Sequence, residues 1–254
     1  MRTIFTLSAI AACAIATPSF ADEEGDWTGA YVGLSAGYTD AKSDQTVALS
    51  GAWTSESAPL QTHVVSFYPN NTKVQDINYG AQLGYNYQTG GGLVLGLEAE
   101  VTGLSGSDAA GKPLTATPPF PALSYASSTT FDPKVAYGLK AKLGFASGKT
   151  LFYATGGWGW TNADITMDIT SNGGYQKVAS TSHTFDGYQV GGGIEHKLGS
   201  NMSLRLDYTY TDQGDFVFNT AYTPTSTFQT PAYVETFRSD LRMHMIRLGV
   251  NFHF

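Results

Sequence analysis

The chain has 254 residues and a formal net charge of -7, with 42% hydrophobic and only 14% charged residues, 29 Gly, 15 Tyr and 14 Phe. Abundant aromatics with little charge exclude a disordered protein, the Gly content excludes a coiled coil, and the negative balance excludes electrostatic capture of nucleic acid. What remains is a folded, Gly- and aromatic-rich all-β chain.

Residues 1–21 form a separate unit. Met1 and Arg2 give a short positive end, residues 4–16 are apolar, and Ser19-Phe20-Ala21 is a small-x-small cleavage site before Asp22-Glu23-Glu24. An apolar run of about thirteen residues is too short for a membrane-spanning helix, so a secretory signal peptide is expected, leaving 22–254 as the mature chain. The single cysteine, Cys13, lies inside it, and Ile10-Ala11-Ala12-Cys13 resembles a lipoprotein processing box after too short an apolar stretch. The mature chain therefore has no thiol for disulfide, metal or nucleophile chemistry.

Eight segments alternate with period two over about ten residues, the pattern of a strand with two different faces. Ala30, Val32, Leu34, Ala36 and Tyr38 oppose Tyr31, Gly33, Ser35 and Gly37. Ile77, Tyr79, Ala81, Leu83, Tyr85 and Tyr87 oppose Asn78, Gly80, Gln82, Gly84 and Asn86. Leu93 to Val101 alternate with Val94, Gly96, Glu98 and Glu100. The fourth sets Tyr137, Leu139, Leu143 and Phe145 against Gly138, Lys140, Lys142 and Gly144. In the fifth Phe152, Trp158 and Trp160 share a face, and the phase changes toward Ile165, which predicts a bulge or a strand leaving its sheet. The sixth places Tyr188, Val190 and Ile194 opposite Gln189, Glu195 and Lys197; the seventh, Leu204, Leu206, Tyr208 and Tyr210 opposite Arg205 and Asp207; the last, His244, Ile246, Leu248, Val250, Phe252 and Phe254 opposite Arg247, Asn251 and His253. No convincing helical stripe is present. A ten-stranded variant follows if residues 47–68 form their own hairpin.

Residues 88–92, 146–150 and 199–201 are short turns, whereas 40–76, 103–134, 161–187 and 211–241 are long connections. Short turns at one end and long loops at the other fit an outer-membrane barrel better than a compact soluble domain. The fork is which face meets solvent, since a lipocalin-like barrel points its apolar row inward and a membrane barrel points it outward. Three features choose outward. The polar row is Gly-heavy and sparsely charged; aromatics gather near strand ends as a girdle of Tyr85, Tyr87, Phe145, Phe152, Trp158, Trp160, Tyr208 and Tyr210; and Phe254 closes the last alternating strand.

The expected fold is an eight-stranded antiparallel up-and-down transmembrane β-barrel with four long extracellular loops and periplasmic termini, in a bacterial outer membrane. Its polar row brings Glu98, Glu100, Glu195 and Asp207 together with Lys140, Lys142, Lys197, Arg205 and Arg247, an internal charge cluster expected to plug a lumen that eight strands leave only wide enough for side chains. A paired-carboxylate acid and base is the competing reading of these residues.

The opening Asp26-Trp27-Thr28-Gly29-Ala30-Tyr31-Val32-Gly33 with Ala36-Gly37-Tyr38, the Gly191-Gly192-Gly193 strand, Leu204-Arg205-Leu206-Asp207-Tyr208 and the terminal Leu248-Gly249-Val250-Asn251-Phe252-His253-Phe254 resemble the small porin-like outer-membrane proteins of alphaproteobacteria, within the OmpA-like eight-stranded barrel superfamily. The resemblance covers essentially the whole mature chain. It implies periplasmic chaperone escort and recognition of the last strand, with Leu248, Val250, Phe252 and Phe254, by the barrel-assembly machinery. Some members of the family are described as haem-binding, adhesins or surface antigens, and no residue here carries those roles over.

The functional expectation is a structural, envelope-integrity and surface-recognition role among outer-membrane lipid and lipopolysaccharide, with a host or surface ligand met by the loops. No catalytic site, metal or cofactor is expected, and no nucleic-acid partner. The alternatives are a lipid-modifying enzyme or a narrow porin-like channel. His183 and Asp186 form an isolated pair without a nucleophile, and Asp212 and Asp215 could contact a divalent ion. The loops offer aromatic surface at Phe120, Tyr125, Tyr222, Phe228, Tyr233 and Phe237, and the first, third and fourth together carry a charge of about -7. Divalent cations bridging these carboxylates to lipopolysaccharide phosphates would be compatible with that charge.

Overall fold

A computed structural model describes residues 25–118, 120–227 and 229–254; the signal-peptide expectation, Cys13 and Phe228 lie outside the described residues. Eight long strands form a ring: β1 (Gly29–Ser43), β3 (Thr72–Gln88), β4 (Leu93–Leu104), β6 (Phe120–Ser147), β7 (Thr150–Ser171), β8 (Gln176–Lys197), β9 (Met202–Asn219) and β11 (Tyr233–His253). Each pairs antiparallel with the next, and β11 pairs back onto β1 from Tyr31 opposite His253 to Lys42 opposite Arg242, closing the sheet. Closure removes the unpaired backbone edges that hydrocarbon cannot satisfy.

The alternation read from the sequence sorts the two faces. Leu34, Leu83, Leu97, Leu139 and Leu206 point outward and are more than half exposed, Leu34 reaching 68%. The opposing row is buried, with Glu98 at 1% and Lys140 and Arg205 at 2%. An apolar exterior around a charged interior is stable only where hydrocarbon, not water, solvates the outside.

The long connections are chiefly prolonged strand. β7 and β8 each run 22 residues, about twice the 9–11 needed to cross a bilayer, so the barrel rises well clear of the membrane. There its polarity reverses. Along β7 the inner row is Tyr153, Thr155 and Thr161 and then Ala163, Ile165, Met167 and Ile169, all buried, while the outer row passes from Trp158 and Trp160 to Asn162, Asp164 and Asp168. The phase change toward Ile165 is therefore not a bulge in that strand, which pairs without interruption with β8. It is a change of surroundings: with water outside, the apolar residues turn inward. The register shift at this height falls on the facing strand, between Pro133 and Val135 of β6. A second shift separates Asp240 from Leu241 of β11, opposite Gly214 at φ +21° in β9.

The reversed segment encloses an apolar core of Trp53, Tyr68, Tyr125, Phe131, Ile165, Met167, Phe185, Phe237, Met243 and Met245. Burying each large apolar side chain contributes roughly 1.5–3 kcal/mol. Around it stand the smaller elements. β2 (Gln45–Gly51) extends from β11, β5 (Asp108–Thr117) folds back on β6, and β10 (Ala221–Tyr222) pairs with β8. Residues 47–68 do not make the hairpin of a ten-stranded ring, because β2 pairs with β11 and the following chain forms the helix α1 (Ala58–Phe67). That helix, not expected from the sequence, starts after Ser57 with Pro at its first turn, and buries only Leu60 and Val64. Two apolar positions one turn apart make too thin a stripe to stand out.

Candidate functional site

The lumen at membrane depth is organised on Glu98. Its ladder partner is Lys140, and the two side chains meet at 3.1 Å. Arg205 reaches across from β9 with Nη1 2.7 Å from Oε2, Lys142 approaches to 3.4 Å, and the Tyr31 hydroxyl donates to Oε2 at 2.6 Å. A second layer extends the network: Lys140 pairs with Glu100 at 2.7 Å, Arg247 with Glu100 at 2.8 Å and Asp207 at 2.9 Å, and Arg205 with Asp207 at 3.1 Å. Charges withdrawn from water are tolerable only when each meets opposite charge and hydrogen bonds. Glycine makes room here. A Cβ at Gly84 would strike the Tyr31 ring, and one at Gly193 the Tyr153 ring. The Lys142 ammonium lies 4.5 Å and 4.8 Å from the centroids of those two rings.

Glu195 and Lys197 sit apart, toward the short turns. Glu195 Oε1 accepts from Ser203 at 2.5 Å and Asn251 at 2.7 Å and lies 3.1 Å from His253 Nε2. Lys197 donates to the Asp26 carbonyl and lies 5.3 Å from the Trp27 ring centroid. Serine, histidine and glutamate converge here, yet Ser203 Oγ and Glu195 Oε1 both address His253 Nε2. A charge-relay arrangement needs them on opposite ring nitrogens.

A second buried charge centre lies in the extracellular core. Glu235, fully buried, accepts from Trp53 Nε1 at 2.6 Å, from Lys177 at 2.5 Å and from Thr220 at 2.8 Å, and from the Tyr175 hydroxyl. Burial and the Glu235 charge hold the Tyr175 phenol well above its ordinary range. Lys177 also donates to the Tyr233 carbonyl at 2.7 Å. Sequence reasoning missed this centre because Trp53, the Tyr175–Lys177 pair and Glu235 lie on three separate long connections. Tyr31 and Tyr153 were also missed; two tyrosines within otherwise polar rows are the available signal.

Other sequence candidates separate. His183 turns inward and stacks on Phe216 at 3.8 Å, its pKa lowered by burial, whereas Asp186 turns outward and accepts from Trp158 Nε1 at 3.0 Å. They occupy opposite faces of β8. Asp212 receives the Tyr210 and Tyr188 hydroxyls while Asp215 pairs with Arg238. Among the described residues no cluster of three or more His, Cys, Asp or Glu could hold a metal ion. Tyr85, Tyr87, Phe145, Phe152, Trp158, Trp160 and Tyr208 are exposed on the outer wall, with Tyr210 half-buried beside them. Leu248, Val250, Phe252 and Phe254 lie along the outer side of the last strand.

A closed antiparallel ring with a lipid-facing apolar belt, aromatic borders and charges held inside is an integral outer-membrane barrel, with its long connections extracellular and its termini periplasmic. The chain belongs to the outer membrane protein beta-barrel domain family, whose model matches residues 5–254. It is 26% identical over 240 residues, 90% of this chain and 84% of the other, to the 31 kDa outer-membrane immunogenic protein of Brucella melitensis. Among solved structures it is similar to OprG of Pseudomonas aeruginosa, at 12% identity and TM-score 0.48 over 92% of this chain and all of the other. It is also similar to Ail, the attachment invasion locus protein of Yersinia pestis, at 14% identity and TM-score 0.39 over 89% of this chain and 99% of the other.

Proposed function

We propose that this outer-membrane protein is a sealed barrel, serving envelope integrity and surface recognition, with its specific chemistry at the extracellular end and none in the lumen. The observation that carries the reading is Glu98, held at once by Lys140, Lys142, Arg205 and Tyr31 at the barrel centre. Conducting an ion past it requires breaking contacts whose buried partners have no water to replace them. The packed apolar core above adds a second obstruction. A non-catalytic role is supported by the separation of His183 from Asp186 and by the shared nitrogen of His253. Barrel-assembly factors would read the outward row of the last strand, and lipopolysaccharide would pack against the outer girdle.

The test is planar-bilayer recording on refolded protein. Baseline conductance interrupted only by rare, brief openings is expected. Steady ohmic channels in every insertion would overturn the plug and favour the narrow-channel alternative.

A further inference from the structure

At the extracellular mouth lies a cavity of about 190 Å³ walled by Trp53, Tyr125, Tyr175 and Tyr233, with Leu60, Leu123 and the Glu56 carboxylate. Its rings stand nearly perpendicular to one another: Trp53 and Tyr233 have centroids 4.8 Å apart at 72°, Tyr175 and Tyr233 6.1 Å at 89°, Tyr125 and Tyr175 6.5 Å at 88°. Rings set perpendicular to one another meet the cavity at different angles. Glu56 accepts from the Tyr233 hydroxyl at 2.6 Å, and among the described residues no Lys or Arg lines the cavity.

The adjoining centre uses the same materials. There the Lys177 ammonium sits 4.7 Å from the Tyr222 centroid and 5.9 Å from that of Tyr175, against Glu235. Tyr175 belongs to both places. The fold thus pairs aromatic faces and a carboxylate with its own cation in one, and sets aromatic side chains and a carboxylate around an open cavity in the other.

We infer that this cavity binds a trimethylammonium group, of the choline type. An anion would meet Glu56, and a neutral apolar guest would cover that carboxylate without compensating its charge. A primary ammonium is compact and strongly hydrated. A methylated ammonium is large and apolar at its surface, and aromatic cages recognise such cations. The volume suffices, since roughly 150 Å³ admits a benzene-sized guest. The inference rests on the surface-recognition part of the reading above and not on the sealed lumen, so its failure would leave the conductance result untouched.

The experiment is calorimetric titration of refolded full-length protein in a maltoside detergent, because phosphocholine detergents carry the ligand group. Choline is compared with its uncharged isostere, in which carbon replaces the quaternary nitrogen. Choline is expected to bind about tenfold tighter than the isostere. Glu56→Gln should weaken choline about fivefold while leaving the isostere unchanged. Glycerophosphocholine and phosphatidylcholine vesicles separate the sources, with binding confined to choline marking a free solute and binding of all three a lipid headgroup. Equal affinity for choline and isostere, no detectable binding of choline, or unchanged choline affinity in a Glu56→Gln protein that keeps its folded gel mobility would overturn the inference.

Discussion

Replacing Glu98 by Gln tests whether the lumen cluster is an interdependent unit. Of the three cations around it, Lys140 keeps Glu100 at 2.7 Å and Arg205 keeps Asp207 at 3.1 Å. Lys142 keeps the Tyr31 hydroxyl at 2.8 Å and the faces of Tyr31 and Tyr153. The stranded charge is thus mainly that of Lys142. Removing one partner of a buried ion pair costs about 3–5 kcal/mol, and ring faces compensate an ammonium by roughly 1–2. A loss near 3 kcal/mol is therefore expected, read from guanidinium unfolding in lipid vesicles followed by tryptophan fluorescence. Lys142→Met should lose its own penalty in the Glu98→Gln background, giving a coupling of about 1–3 kcal/mol in the double-mutant cycle. The surplus positive charge should also admit anions, so Glu98→Gln should show an anion-selective leak absent from the parent. A loss below about 1 kcal/mol with no coupling would refute the cluster as a unit.

Two further outcomes follow from the faces of the barrel and from its extracellular tyrosines. Leu97→Arg, on the lipid side at 65% exposure, should cost about 2–4 kcal/mol in the same unfolding assay, whereas Asn162→Arg beyond the girdle should be nearly neutral. Equal costs would misplace the membrane. Burial first, and Glu56 second, push Tyr125 and Tyr233 up to about 12. The neutral phenols are thus favoured in the fold, so their contribution is full below pH about 10 and drains away as pH rises toward 12. Absorbance titration of tyrosinate should show a late alkaline phase that moves down in Glu56→Gln; a single step near the ordinary tyrosine value would refute the placement.

The membrane-spanning half was legible because lipid outside and charge inside impose opposite demands on alternate residues, so Leu97 and Glu98, or Leu139 and Lys140, announce their faces by adjacency alone. The same rule failed at Ile165 because it was read with the solvent held constant. The residue kept its face, and the surroundings changed from hydrocarbon to water at the height of Trp160. Where a connection carries only two buried positions, as at Leu60 and Val64, no pattern is long enough to reveal a helix.

Two-residue periodicity, taken with the short turns, the long connections and the aromatic strand ends, pointed to an antiparallel barrel, its lipid-facing row and the residue types of its interior, while eight strands or ten stayed open. Only the tertiary structure decided which charges meet. Register along one strand is a local property, fixed by which side of each residue prefers water. The approach of Arg205 to Glu98, or of Trp53, Tyr175 and Lys177 to Glu235, depends on how the whole sheet curves shut, and no spacing within a single segment encodes that curvature.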